Sequence, residues 1–384
     1  MKKYFCHFLL FLFACVSATG TEKKLLIISD VFHAVGGTEE VISQISRRMM
    51  GKDFIVKHIS LEDVPTFSID SKDFRIASPI GLQTKLGAII NDYKPTHILI
   101  VLLGLSGHYA GIYCYENNMP FTLFMPSRVV DHLKSDYAVP MWLSNAYLKR
   151  FLPKATKILV PTQSVADQLT YPNLKNVQAW PHGADTDRFV MYSQKEKNAF
   201  IKSSLLSGKE RPFYLYVGRL SKPKNIQAFL DLEVPGTKVL VGAESLGYEI
   251  ESLKKKYPEC LFPGPQTGNE LVGYFACSDI FVFPCKLDTF GIVQVEALAC
   301  GLPVVAFDVI GPKDVVPRGC GVSYLCQNQN EFQDAAMQAW ADRKSGAVTP
   351  KQCREFAERY SWDQATETLI DSLEPIDWNK ISQH

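Results

Sequence analysis

A chain of 384 residues with 46% hydrophobic and 21% charged side chains has the composition of a globular protein and the length of two ordinary domains. Its formal net charge of +1 gives no bulk electrostatic case for nucleic acid or for an anionic membrane. Ten cysteines show no CxxC or zinc spacing, and Cys277, Cys285 and Cys300 stand among apolar neighbours, so free buried thiols are expected rather than a metal site or a disulfide framework.

Residues 1–20 stand apart. Lys2 and Lys3 precede an apolar run from Phe5 to Val16, and Val16-Ser17-Ala18 resembles a signal-peptidase site. The run is shorter than the ~20 residues that span a bilayer, so a signal peptide or short membrane anchor is expected. That points to a membrane-associated or secretory location. The free thiols favour a reducing one, and the cytoplasmic face stays open as the alternative.

Lys24 to Asp30 is an apolar run bounded by charge and predicts a buried parallel strand. Gly36-Gly37 follows, then Thr38-Glu39-Glu40 opens a helix to about Met50, with Thr38 as a plausible N-cap. Here backbone can approach a phosphate without a Cβ in the way, although a Gly-Gly pair also serves a plain tight turn. Further strand-like runs are His97–Leu103, Phe121–Phe124 and Ile158–Val160, with helical segments between them. The alternation predicts a doubly wound, Rossmann-like parallel sheet over residues 22–190. Near its end, Trp180-Pro181-His182-Gly183-Ala184-Asp185 reads as structural, with His182 a hinge histidine rather than a catalyst.

Residues 187–211 are polar and read as a linker. A second α/β series over 210–360 has strands at Phe213–Val217, Lys238–Val241, Ile280–Pro284 and Pro303–Phe307, with helices at about 224–231, 246–257, 268–276 and 292–300. Arg219 and Lys224 would lie at the carboxyl edge of that sheet, a fork and a point charge suited to a diphosphate; a solvated basic turn is the plainer alternative. In Asp288-Thr-Phe-Gly-Ile-Val-Gln-Val-Glu296 one acid falls in a loop and the other near a helix start. The pair suits sugar hydroxyls and a ribose diol, with a phosphate at the intervening backbone N–H groups. Pro350 to about Leu373 reads as one or two amphipathic helices.

Taken in order, the Gly-Gly loop, Val217-Gly-Arg-Leu220, Asp279-Ile-Phe-Val-Phe-Pro284, Asp288-Thr-Phe-Gly291, Glu296 to Val304 and Gly311-Pro-Lys-Asp314 resemble family 4 glycosyltransferases of the GT-B fold. The resemblance runs from about Lys24 to Leu373, and the Asp-Thr-Phe-Gly and Gly-Pro-Lys-Asp versions are similar to a branch of α-mannosyltransferases and of sulfoquinovosyl- or glucosyl-lipid synthases. It implies two Rossmann-like domains around a cleft, with an acceptor-side domain over 22–190 and a donor-side domain over 210–360. Residues 361–384, with Ser361-Trp362, would form a closing helix that crosses back to the first domain.

The implied activity is retaining transfer of a hexose from a UDP- or GDP-sugar to a lipid or glycan acceptor, with no cofactor and no metal. Arg219 and Lys224 would hold the diphosphate, Asp288 would face the hexose, and Glu296 would take the ribose. Phe290, Gly291 and Ile292 would present backbone, and Gly36 and Gly37 would close on phosphate. The chain departs from the family at Pro126, where relatives commonly place a histidine near acceptor and donor sugar. Candidate acceptor-side replacements are His108, Ser127, Arg128 and His132. Two other readings stay open: a nucleotide-sugar or glycan-binding protein that has lost catalysis, and, less favoured, a sugar-nucleotide epimerase on the same fold.

Overall fold

The computed structural model describes residues 22–30, 37–68, 75–102, 104–127, 130, 140–171, 174–245 and 247–381. The first half forms β1 (Lys23–Ile28), β2 (Phe54–Ile59), a small β3 (Thr66–Ser68) and β4 (Arg75–Ala77) hairpin, β5 (His97–Val101), β6 (Thr122–Phe124), β7 (Lys157–Val160) and β8 (Val177–Ala179). Six of these make a parallel sheet in the order β2-β1-β5-β6-β7-β8. Its crossover helices cover both faces, as a parallel sheet requires. Leu26 and Ile28 face one apolar cluster, while Leu25 and Ile27 face another.

The second half forms β9 (Phe213–Val217), β10 (Thr237–Val241), β11 (Leu261–Gly264), β12 (Ile280–Phe283), β13 (Val304–Phe307) and β14 (Ser323–Cys326). They pair in parallel in the order β11-β10-β9-β12-β13-β14. Phe213 and Leu215 alternate with Tyr214 and Tyr216 between two clusters. Two doubly wound parallel sheets are the predicted fold. In the second, strand order reverses between β9 and β12, and ligands of such sheets bind beyond the strand ends at that point. Gly218–Asn225 follows β9 and Asp288–Glu296 follows β12, so topology alone brings the two motifs together.

The expected linker at 187–211 is not all linker. Ser193 caps a helix, Gln194–Ser203, in a capping box with Glu196. Phe200 of that helix lies against Gly273, where a Cβ would meet its ring at 2.1 Å, and packs edge-on against Tyr274. The segment is therefore part of the second domain.

The chain crosses at 181–187 and returns after the helix Pro350–Ala357, and the two crossings touch through Ala184 N–H to Tyr360 C=O at 3.0 Å. The last helix, Trp362–Asp371, joins the first-domain core with Val41, Ile42, Phe124 and Trp180. Trp180 Nε1 donates to Ala365 C=O at 2.7 Å, and Thr122 Oγ1 donates to Ser372 C=O at 2.7 Å. Ile376 N–H and Trp378 Nε1 bond Thr96 and Pro95 carbonyls.

Candidate functional site

A 3-10 turn, Lys222–Lys224, ends in Asn225 at φ 53, a left-handed position that asparagine tolerates. Asn225 Nδ2 bonds Pro284 C=O at 3.0 Å, which ties the turn to the end of β12. Lys224 Nζ thereby reaches Asp288 Oδ2 at 2.6 Å, and Asp288 Oδ1 accepts the N–H groups of Thr289 at 3.0 Å and Phe290 at 3.5 Å.

Burial alone would raise the Asp288 carboxyl, but the Lys224 ammonium and the two amides override it and hold it below its usual range. Burial likewise opposes the Lys224 charge, and Asp288 overrides it to keep the ammonium. Both side chains stay partly open, at 27% and 20% exposure, so a ligand can reach the pair. Arg219 is exposed beside them, and its carbonyl is held by Tyr216 OH at 2.8 Å.

Phe290 is buried, and Gly291 takes φ 74 where a Cβ would meet the Phe283 ring at 2.8 Å. Ile292 begins the helix Ile292–Ala299 and leans on the first-domain core. Glu296 lies one turn in. Its side chain makes no hydrogen bond or ion pair to a described residue, and burial, with Glu40 and Asp185 adding to it and Arg188 opposing, pushes its carboxyl up to about 8. Glu40 sits in the first turn of the helix Gly37–Met50, so that helix start faces Glu296 from the other domain.

No described residue comes within 4 Å of a Cβ built at Gly37. Gly36, Arg128 and His132 lie outside the described residues. Ser127 is half-buried. His108 is committed to packing: Nδ1 bonds Tyr147 OH at 3.0 Å, and its ring lies against Tyr147 and Phe151 of the neighbouring helix.

Pro126, the position without the expected histidine, contributes its carbonyl, which accepts Thr289 Oγ1 at 2.6 Å. Thr162 Oγ1 donates to Thr289 C=O at 3.3 Å. Asp314 of the Gly-Pro-Lys-Asp segment accepts both the Ser164 hydroxyl and its N–H, and Gly311 N–H bonds Ser164 Oγ at 3.1 Å. The domains are therefore stitched together beside Asp288. His182 is buried at this seam among Phe124, Trp180, Phe290 and Trp362. Burial holds it neutral, down to about 3, against a weaker pull from Asp288.

Sequence reasoning gave no role to Thr289, Thr162 or Ser164, nor to Asp30. At the end of β1, Asp30 accepts Ser106 N–H at 3.0 Å and Gly107 N–H at 3.3 Å, capping the helix Leu105–Glu116 from another element. The Ser-Asp that ends the first apolar run is the only sequence cue to it.

Residues 197–360 match the family described as glycosyl transferases group 1. Residues 197–360 thus form a group 1 glycosyltransferase domain, set within a chain of GT-B fold. It is 26% identical over 313 residues to a GDP-mannose-dependent alpha-mannosyltransferase of Mycobacterium tuberculosis (strain CDC 1551 / Oshkosh), covering 79% of this chain and 80% of that one. It is also 26% identical to sulfoquinovosyl transferase SQD2 of Arabidopsis thaliana, over 65% of this chain and only 49% of that longer one. Among solved structures, sucrose-phosphate synthase from Thermosynechococcus elongatus superposes with a TM-score of 0.73 at 20% identity, over 91% of this chain and 98% of that one. Anabaena Alr3699/HepE in complex with UDP and glucose gives 0.68 at 16% identity, over 91% of this chain and 99% of that one.

Proposed function

We propose that this glycosyltransferase moves a hexose from a UDP- or GDP-sugar to a lipid or glycan hydroxyl with retention of anomeric configuration. The observation that carries the reading is the Lys224–Asp288 pair, partly open and set where the second sheet's strand order reverses. Lys224 and Arg219 would neutralise the diphosphate, so no metal is called for. Asp288 would orient the hexose through its hydroxyls. Glu296 would hold the ribose, and the backbone of Phe290, Gly291 and Ile292 would face the donor across from Gly36 and Gly37. The acceptor oxygen would attack C1 from the face the leaving phosphate vacates. As the C1–O bond to phosphate breaks and the new one forms, the acceptor proton passes to the departing phosphate oxygen. Catalysis then rests on fixed charge and orientation.

The relatives that act on GDP-mannose, and the neighbour solved with UDP, support a nucleotide-sugar donor. A lipid acceptor gains support from the exposed turn Met141-Trp142-Leu143 on the first domain, which suits a membrane-associated protein. No helix among the described residues is long and apolar enough to cross a membrane, and residues 1–20 lie outside them.

The test is nucleotide release from a panel of UDP- and GDP-hexoses, with EDTA and with lipid and glycan acceptors. Wild type should turn over one donor in EDTA, and Lys224→Met should lose about a hundredfold or more in kcat/KM. Nucleotide binding without turnover across the panel would support the impaired-binder reading instead, and donor conversion without an acceptor would indicate an epimerase.

A further inference from the structure

We propose that Thr289 is a positioning residue that makes the orientation of the Asp288 carboxylate depend on closure of the two domains, an inference that rests on the donor-site reading above. Thr289 is polar yet only 7% exposed. Its three polar groups divide between the two domains. The hydroxyl donates to Pro126 C=O at 2.6 Å, and the carbonyl accepts Thr162 Oγ1 at 3.3 Å; both partners belong to the first domain. The amide donates to Asp288 Oδ1 at 3.0 Å within the second domain, and the Phe290 amide reaches the same oxygen at 3.5 Å.

One peptide segment thus carries the state of the interdomain seam to the carboxylate that Lys224 meets. When the domains part, both first-domain bonds break together. The peptides at 289 and 290 lose their outer restraint, and Asp288 Oδ1 loses its fixed donors. Asp288 keeps only Lys224 as a partner.

Two neighbours stiffen the device. Gly311, at φ 93, lies under the segment so closely that a Cβ would come within 2.3 Å of Asp288 C=O. Gly311 and Asp314 are themselves bonded to Ser164, so a second set of contacts holds the same seam. Pro126 suits its part because only its carbonyl is used, and the ring fixes one backbone angle of the residue that presents it.

Threonine and valine have nearly the same shape, so Thr289→Val removes the donor and leaves the buried Pro126 carbonyl unpaired, whereas Thr289→Ser keeps the hydroxyl. The experiment is hydrogen exchange on the full chain, read at residues 286–293, beside steady-state nucleotide release. In Thr289→Val the Thr289 and Phe290 amides should exchange at least about tenfold faster, while Thr289→Ser stays near wild type. kcat should fall about tenfold in Thr289→Val, with donor KM changed less than about threefold, and Thr289→Ser should restore it. Wild-type exchange and turnover in Thr289→Val would overturn the proposal, as would a serine variant as impaired as the valine one. If wild type turns over no donor, the exchange pattern still decides the seam, and the transfer reading alone falls.

Discussion

Asp288 and Glu296 belong to one nine-residue stretch and carry opposite perturbations. Burial acts on both, but Asp288 has an ammonium at 2.6 Å and Glu296 has no such partner among the described residues. The consequence for stability has a definite sign. Below pH 4.5 the Glu296 carboxyl is protonated whether the chain is folded or not; between 4.5 and about 8 the unfolded chain releases the proton and the folded one holds it. Stability contributed by this group therefore falls as pH rises through that window. Glu296→Gln should melt a few degrees higher than wild type at pH 8, by about 2–4 °C, with the gap closing toward pH 4.5 in thermal unfolding followed by circular dichroism. The acidic pair and the basic turn were legible because each follows a readable strand. The bonds of Thr289 and Asp314 were not, since their partners lie 163 and 150 positions away and a hydroxyl has no periodic signature. Asp30 was hidden in the same way, bonded 76 positions on.

At the scale of elements, the strands foreseen are the central ones. β1, β5, β6, β7, β9, β10, β12 and β13 are buried on both faces and show as apolar runs. β2, β8, β11 and β14 lie at the sheet edges and carry half-buried positions, so polar residues, or Pro-Gly in β11, interrupt or shorten their runs. The helix Gln194–Ser203 escaped for a related reason: none of its residues is fully buried, and its Lys-rich face resembles a linker. The helix Met141–Phe151 poses the reverse case. Its first turn exposes Met141, Trp142 and Leu143 at 42%, 72% and 48%, and its last turn carries Lys149 and Arg150. An aromatic and aliphatic turn with basic residues on the same helix suits a lipid–water boundary. In co-sedimentation with anionic phospholipid vesicles, a Trp142→Ser variant should bind at least about fivefold more weakly than wild type, with its melting temperature unchanged. Equal binding would remove this helix from the membrane argument.

For the molecule as a whole, the two-domain division was readable from the repeated alternation of strand and helix, whereas the course of the crossings was not. Gly183 shows why. A Cβ there would come within 2.3 Å of Trp362 N, a contact between segments far apart in the chain that no local pattern announces. The terminal helix fills first-domain core, so a chain ending at residue 361 leaves Trp180 Nε1 without its acceptor and uncovers Val41, Ile42 and Phe124. Such a chain should show two calorimetric transitions, a weakened first-domain melt and a second-domain melt near the wild-type value. A single unshifted transition would contradict this. The double crossing also decides what kind of movement is open to the molecule. A domain hung on one strand could swivel in any direction. Here two strands pass side by side, bonded at Ala184 and Tyr360, and the second domain is spliced into the chain of the first at both ends. Two pins in one frame leave a door a single axis, so any parting of the domains would be a swing whose return sets Thr289 against Pro126 again.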